Sequence, residues 1–407
     1  MRRTAHCFIF LAILVGSPSL ARAEDTTSVK KLLEDLRAPD YMQAWGAADK
    51  LAIFSQYRAE IVPALIEALN HEWEQCSGDV RQVIAKSLVE LGAKEAVFPL
   101  LQLVRSGKSI EHECVECGGC FLILTPGDAL LSRGHDPFSP SDVLWAVHQL
   151  ADFSHLKTMA EIVSEGKWKE QLITTIGKVG HPRYAYFIGG YKDDKAVGVR
   201  IAVAHGLGLI TNDDFTLPVL IQLLSRSNED FFFVRWEASN ALVTMGKRGD
   251  AQAVRKRLGD LLRDREKLTV LLTARALAIL GEEKGSLKLR EMAMDGDPKI
   301  RMETVMYLGE VTDVGSKDIL IKSVKDDNLA VRACAMYALG RTGDASMIAT
   351  LRKAFEGSTD YMATLEKQLK ASSSEEAVKQ KYGVGVFDLR QTLQEAIDTI
   401  QKKGGKD

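Results

Sequence analysis

Apolar positions in this chain recur in blocks rather than in one continuous core pattern. Setting Arg81, Arg200, Arg235, Arg301 and Arg332 as position zero, with Lys169 and Val270 in two further slots, the slots from 169 onward advance by 31, 35, 35, 31 and 31 residues. Seven positions later an apolar residue stands every time: Leu88, Ile176, Leu207, Leu242, Leu277, Leu308 and Leu339. One position earlier the residue is β-branched (Val80, Val199, Val234, Thr269, Ile300, Val331), with Trp168 as the exception. Glycine follows at plus eight, plus eleven or both, as in Gly92, Gly177 with Gly180, Gly208, Gly246, Gly281, Gly309, and Gly340 with Gly343.

Each block predicts two helices. The first starts near position zero with apolar residues three and four apart, as in Val331, Ala335 and Leu339, which places them on one face of a 3.6-residue helix. The glycines are expected to end it in a tight left-handed turn, as Gly340 and Gly343 would. A second amphipathic helix follows, for example Ile348, Leu351 and Phe355, or Val219, Leu220, Leu223 and Leu224. An acidic turn closes the unit: Asp193-Asp194, Asp230, Asp295 to Asp297, Asp326-Asp327. Aspartate there can cap the next helix and neutralise the arginine that follows. The recurrent arginines are therefore read as a structural Asp–Arg ladder between repeats. Units of this length bury their apolar faces against their neighbours, the logic of a solenoid.

The motif Asp-x-x-x-Val-Arg-x-x-Ala-x-x-Ala-Leu-Gly-x-x-Gly-Asp, running from Asp327 to Asp344, resembles the short HEAT repeat of the bilin-lyase-like class. The resemblance covers most of residues 40–107 and 165–360. It implies an all-α fold, a right-handed α-solenoid of about nine helix pairs whose second helices line a concave face for a protein partner. Two enzyme families share such repeats. Deoxyhypusine hydroxylase holds two irons with four His-Glu pairs at helix starts. This chain has His71-Glu72 and His112-Glu113, one at a helix end and one in an insert, so that activity is not expected. Bilin lyases load chromophores onto phycobiliproteins, a substrate that export would put out of reach.

Export is expected from the first 23 residues. Arg2 and Arg3 form a positive start, Cys7 to Val15 an apolar stretch, and Ala21-Arg22-Ala23 a small-residue cleavage site. The apolar stretch is too short to span a bilayer, and no other stretch is apolar enough. The expected organisation is a signal peptide at 1–23, N-terminal repeats at 24–107, an insert at 108–140, further repeats at 141–360, and capping helices with a tail at 361–407. In that tail Leu389, Leu393, Ile397 and Ile400 share one helical face.

Charge is balanced, with 53 basic and 55 acidic residues and a formal net charge of −2. No basic stripe of the kind that binds nucleic acid is present. The most basic patch, Arg255, Lys256, Arg257 and Arg263, is flanked by Asp250, Asp260 and Asp264 and reads as a solvated helix. Candidate chemistry concentrates in the insert, which carries Cys114, Cys117 and Cys120 with His112, and Cys76 stands in the turn before the second repeat. Three readings fit these residues. Disulfides would pin the loop in an oxidising compartment. Four soft ligands would suit tetrahedral zinc. A Cys-x-x-Cys pair would serve dithiol exchange, although Glu113 and Glu116 would raise the thiol pKa. Compartment favours the disulfides, and no cofactor is expected under that reading. Cys334, inside a repeat helix, reads as a small buried hydrophobe. Among exposed candidates are aromatics: Phe231 and Phe232 open one repeat, and Tyr184, Tyr186 and Tyr191 crowd another. The resulting expectation is an exported, non-catalytic scaffold that binds a protein, with a metal- or thiol-dependent function of the cysteine insert as its alternative.

Overall fold

The computed structural model describes residues 18–73, 77–106, 143–210, 213–226, 232–248, 251–311, 314–342, 347–356 and 389–404. These are helical, joined by short turns, with no strand among the described residues. They divide into two compact units, Met1–Val179 and Gly180–Asp407.

The first unit opens with α1 (Pro18–Asp35) and continues as helix pairs: α2 (Tyr41–Leu51) with α3 (Arg58–Ala68), α4 (Ser77–Glu90) with α5 (Val97–Ser106), and α6 (Val143–Leu150) with α7 (Leu156–Ser164). It ends on α8 (Lys169–Val179). In the second unit a short α9 (Ala185–Gly189) leads into four pairs. They are α10 (Val197–Leu209) with α11 (Asp213–Leu224), α12 (Phe232–Arg248) with α13 (Ala251–Leu261), α14 (Lys267–Ile279) with α15 (Glu283–Met292), and α16 (Pro298–Val311) with α17 (Lys317–Ser323). A fifth pair, α18 (Leu329–Thr342) and α19 (Met347–Glu356), is followed by α20 (Leu389–Gly404). Within each unit a first helix packs on the first helix of the next pair, and each second helix packs on the first helix that follows it, which is solenoid stacking.

The register read from sequence falls on the core. In all seven slots the residues at plus three and plus seven are fully buried, from Ile84 and Leu88 to Ala335 and Leu339. The plus-four residues, Ala85 to Met336, are no more than 1% exposed. Each leucine so placed contributes about 1.5–3 kcal/mol through removal from water, so one repeat cannot stand without its neighbours.

The acidic turn has a fixed construction six residues before position zero. The Oδ1 of Asp194, Asp264, Asp295 and Asp326 accepts from the backbone N–H two residues on, at 2.8–2.9 Å. Arg200 and Arg301 donate back to the carbonyls of Asp194 and Asp295, at 2.8 and 2.9 Å, and Arg332 does the same to Asp326. Cations from one repeat then reach the acidic turn of the next. Arg301 forks onto both oxygens of Asp326 at 2.8 Å, Lys267 meets Asp295 at 2.7 Å, and Arg235 forks onto Glu266. Arg81 takes a different course, donating to the carbonyls of Leu69 and His71 at the end of the preceding second helix, at 3.1 and 3.0 Å.

Glycine divides into two roles where the sequence suggested one. Gly92, Gly180 and Gly281, at plus eleven, have φ of 61°, 77° and 80° and end their helices in the left-handed region. The plus-eight glycines lie inside helices instead. A Cβ on Gly208 would stand 2.5 Å from the Ala241 Cβ, and one on Gly309 2.5 Å from the Ala338 Cβ. Gly340, expected to end its helix, sits within α18 and lets Ala396 of α20 approach, with its Cα 2.7 Å from the position of a Cβ. Their work is to bring successive first helices together. α20 thereby takes the place of one more first helix at the C-terminal end of the second unit.

Candidate functional site: a bonded row across the first helices

With plus three, four and seven turned to the core, the helical period points plus two, five and nine the opposite way. In the second unit three successive plus-five residues are polar: His205 on α10, Asn240 on α12 and Arg275 on α14. They join through their neighbours. Glu237 Oε1 lies 2.7 Å from His205 Nδ1, and Glu237 Oε2 accepts from Asn240 Nδ2 at 3.5 Å. Asn240 Oδ1 accepts from Arg275 Nη1 at 2.9 Å, while Arg275 Nε and Nη2 fork onto Glu310 of α16 at 2.8 and 2.7 Å. The chain His205–Glu237–Asn240–Arg275–Glu310 thus crosses four first helices.

Aromatic rings frame its centre. The Arg275 guanidinium carbon lies 3.8 Å from the Trp236 ring centroid and 5.4 Å from that of Tyr307. Trp236 and Tyr307 lie 5.6 Å apart with 23° between their planes, and Phe232 stacks behind Trp236 at 6.0 Å. Arg275 is only 4% exposed, so its charge is sustained by a bidentate carboxylate and two ring faces in place of water. Local sequence explains how a guanidinium comes to lie between these helices. Tyr307 stands at plus six, where Ala241 and Ala338 stand in their repeats, and Ala278 replaces the plus-eight glycine of the facing helix. Side-chain bulk therefore separates α14 from α16, whereas Gly–Ala contact closes α10 on α12 and α16 on α18. The ends of the row reach solvent: the His205 side chain is 45% exposed, and Phe233 beside Phe232 is 54% exposed.

Titration in the second unit belongs to the acidic turns. The hydrogen bond from Arg235 holds the Glu266 carboxyl below the usual glutamate range, and Lys267 does the same for Asp295. At Asp326 burial pushes upward, but the Arg301 fork outweighs it and the net direction is down.

The residues singled out in the sequence are placed as follows. Cys76, Cys114, Cys117, Cys120, His112 and Phe231 lie outside the described residues. The thiol of Cys334 is buried on α18. Tyr184 and Tyr191 are half-buried and join a ring series through Phe187, with centroids 6.2 and 5.4 Å apart. Tyr186 is exposed, with its ring 4.2 Å from that of Phe215. Phe232 is half-buried and turned to Trp236, so Phe233 is the exposed ring of that pair. Among the described residues no group of three His, Cys, Asp or Glu could hold a metal, and no helix is long and apolar enough to cross a membrane. The bonded row itself was missed by sequence reasoning, although the polar residues at plus five in three consecutive slots were its available signal.

The HEAT-repeat family matches residues 286–370, from α15 into the chain beyond α19. No curated protein matches the sequence. Among solved structures, the CpcE–CpcF complex of phycocyanin lyase from Nostoc is 14% identical over 91% of this chain and 94% of its own, with a TM-score of 0.28. Human deoxyhypusine hydroxylase is 14% identical over 80% of this chain and 99% of its own, with a TM-score of 0.25. The karyopherin Kap121p, bound to the extreme C-terminus of the protein phosphatase Cdc14p, is 14% identical over 94% of this chain and 44% of its own, with a TM-score of 0.45. No activity is carried over from these likenesses. HEAT repeats and an all-α solenoid are what the chain itself displays.

Proposed function

We propose that this chain is an exported, non-catalytic repeat scaffold that binds a protein partner along the first helices of its second unit. One observation carries the reading: Arg275, Trp236 and Tyr307 form a buried network of side-chain bonds and stacked rings across the first helices, and His205 and Phe233 at its ends reach solvent. A buried network of this kind fixes its solvent-reaching ends in advance, which lowers the ordering cost of binding. Secondary-structure elements position them better than loops would. On this reading the binding surface lies on the first helices, whereas the sequence resemblance pointed to the second helices. Export rests on the charged, apolar and small-residue segments of residues 1–23. In an oxidising compartment Cys76, Cys114, Cys117 and Cys120 form disulfides, so the denatured, unreduced protein is expected to titrate one thiol, Cys334, in its mature form.

A photocrosslinking residue tests the surface. Placed at Thr244 or Met306 on the first helices it is expected to trap one partner from the native compartment; placed at Arg257 or Leu287 on the second helices it is expected to trap none. Crosslinks confined to Arg257 and Leu287 would sink the proposal.

A further inference from the structure

Three large apolar side chains of the first unit stand in water on consecutive repeats. Ile53 is 76% exposed, Phe98 44% and Phe153 73%. Each lies where a first helix hands over to its second: Ile53 between α2 and α3, Phe98 in the first turn of α5, and Phe153 between α6 and α7. Bonds between repeats gather these turns into one edge. Arg58 donates to the Leu91 carbonyl at 2.9 Å and pairs with Glu95 at 2.8 Å, which joins the first turn to the second. Lys94 lies 3.8 Å from Asp152, and the Phe98 and His155 ring centroids are 4.6 Å apart, which joins the second to the third.

The start of α1 belongs to the same edge. Thr26 Oγ1 lies 2.9 Å from the hydroxyl of Tyr57, in the turn that carries Ile53. Toward its other end, α1 is followed by Arg37, which pairs at 3.0 Å with Glu67 in the last turn of α3, and by Ala38, whose carbonyl accepts from the Trp73 indole at 3.2 Å. Helix α1 therefore begins at the Ile53 edge and ends at the opposite one. The residues before Pro18, with the apolar stretch Cys7 to Val15, connect to the fold at the edge where Ile53, Phe98 and Phe153 are exposed.

We propose that this edge is a lipid-contacting surface: Ile53, Phe98 and Phe153 enter the interface of a bilayer, and the mature protein rests peripherally on the membrane it was exported across. The proposal rests on the export part of the reading above and is independent of the protein-binding surface in the second unit. Three features support a bilayer. An apolar export segment held in the membrane brings this edge, and not the opposite one, against the lipid. Side chains three-quarters exposed on turns protrude instead of lining a groove, and a fluid interface receives them without a preformed pocket. The charges between them are matched within the edge, Arg58 by Glu95 and Lys94 by Asp152, so apolar transfer drives contact and anionic headgroups are not required.

The test floats the exported protein with phosphatidylcholine vesicles, after intact mass has shown whether residues 1–23 were removed. The mature parent is expected to float with the vesicles at low and high salt alike, because screening acts on charges and not on apolar transfer. Ile53→Ser combined with Phe153→Ser should weaken binding at least about tenfold, since burying either side chain is worth more than a factor of ten. Both side chains face water, so the melting temperature should not change. Leu287→Ser, on an exposed position of α15, should leave flotation as it is. A fluorescent residue at Ser154 should be quenched by brominated acyl chains, and one at Asn70, at the opposite edge, should not. Failure of the mature parent to float, equal binding of the mature parent and the double variant, loss of binding at high salt, or quenching at Asn70 alone would each overturn the assignment. Should residues 1–23 remain on the chain, export with cleavage falls by itself; quenching at Ser154, and its loss in the double variant, still decides the role of the edge.

Discussion

Substituting Gly309 with alanine reverses the ordinary sign of a glycine-to-alanine change. Inside a helix that exchange normally stabilises by about 0.5–1 kcal/mol, because alanine has less backbone freedom to lose. At Gly309 the new methyl would stand 2.5 Å from the Ala338 Cβ and 2.9 Å from its Cα. Carbon atoms in contact prefer about 3.5–4.0 Å, so α16 and α18 must separate by roughly 1 Å. Separation strains both helices and thins their packing, and overpacking of this kind costs about 1–3 kcal/mol. Net destabilisation of about 1–2 kcal/mol follows, or roughly 2–6 °C in the melting of a unit of this size. Gly46 is the control: it lies within α2, and a Cβ there would meet nothing within 4 Å. Gly46→Ala should stabilise the first unit while Gly309→Ala destabilises the second, read by calorimetry on the intact chain. Relief should come from Ala338→Gly in the Gly309→Ala background, which removes the nearer of the two clashing carbons. If Gly309→Ala were as stabilising as Gly46→Ala, close approach would not be what the plus-eight glycines provide.

Other expectations follow from the same geometry. Gly281 has φ of 80° and open space around it, so Gly281→Ala should lose about 1 kcal/mol through strain alone and Gly281→Asn less; equal stability of all three, by urea unfolding, would contradict the left-handed cap. Arg275→Lys keeps the charge but loses the fork and the ring stacking, for an expected loss of about 2–3 kcal/mol in the second unit; a loss under about 0.5 kcal/mol, as is usual for a surface substitution, would show the row to be loosely held. The acidic turns set a pH dependence. Folded carboxyls at Asp326, Asp295 and Glu266 lie below their ordinary values of 3.8, 3.8 and 4.5, so their stabilisation is complete above those values and is lost as pH falls through the folded ones. Asp326→Asn should therefore lower stability at pH 7 by about 1–3 kcal/mol and narrow its gap to the parent chain as the pH drops below 3.8; a gap that stays constant down to the acid limit would refute the pairing.

The sequence carried the repeat almost completely, because that information is local. A helix three or four turns long must bury residues at plus three, four and seven, and Ile84 to Ala335 and Leu88 to Leu339 show no exception. The acidic turn was legible for the same reason, since Asp194 or Asp326 bonds an amide only two residues away. Glycine roles were not. Plus eight and plus eleven both lie near a helix end, and only the neighbouring repeat reveals that Gly309 faces Ala338 while Gly281 faces open space. The bonded row was hidden more deeply. His205, Asn240 and Arg275 are 35 residues apart, and each looks like an ordinary polar residue on an outward face.

What joins those residues is the distance between adjacent first helices, and single residues in different repeats set it. Glycine at plus eight against alanine at plus six draws two helices together, as at Gly208 and Ala241. Alanine at plus eight against tyrosine at plus six, as at Ala278 and Tyr307, holds them apart and leaves room for a guanidinium between two rings. The repeat thus specifies the scaffold, and departures from the repeat specify the site. Reading such a chain for function means looking for the slots where small residues give way to large ones. In this chain that substitution coincides with the buried Arg275 and its fork onto Glu310.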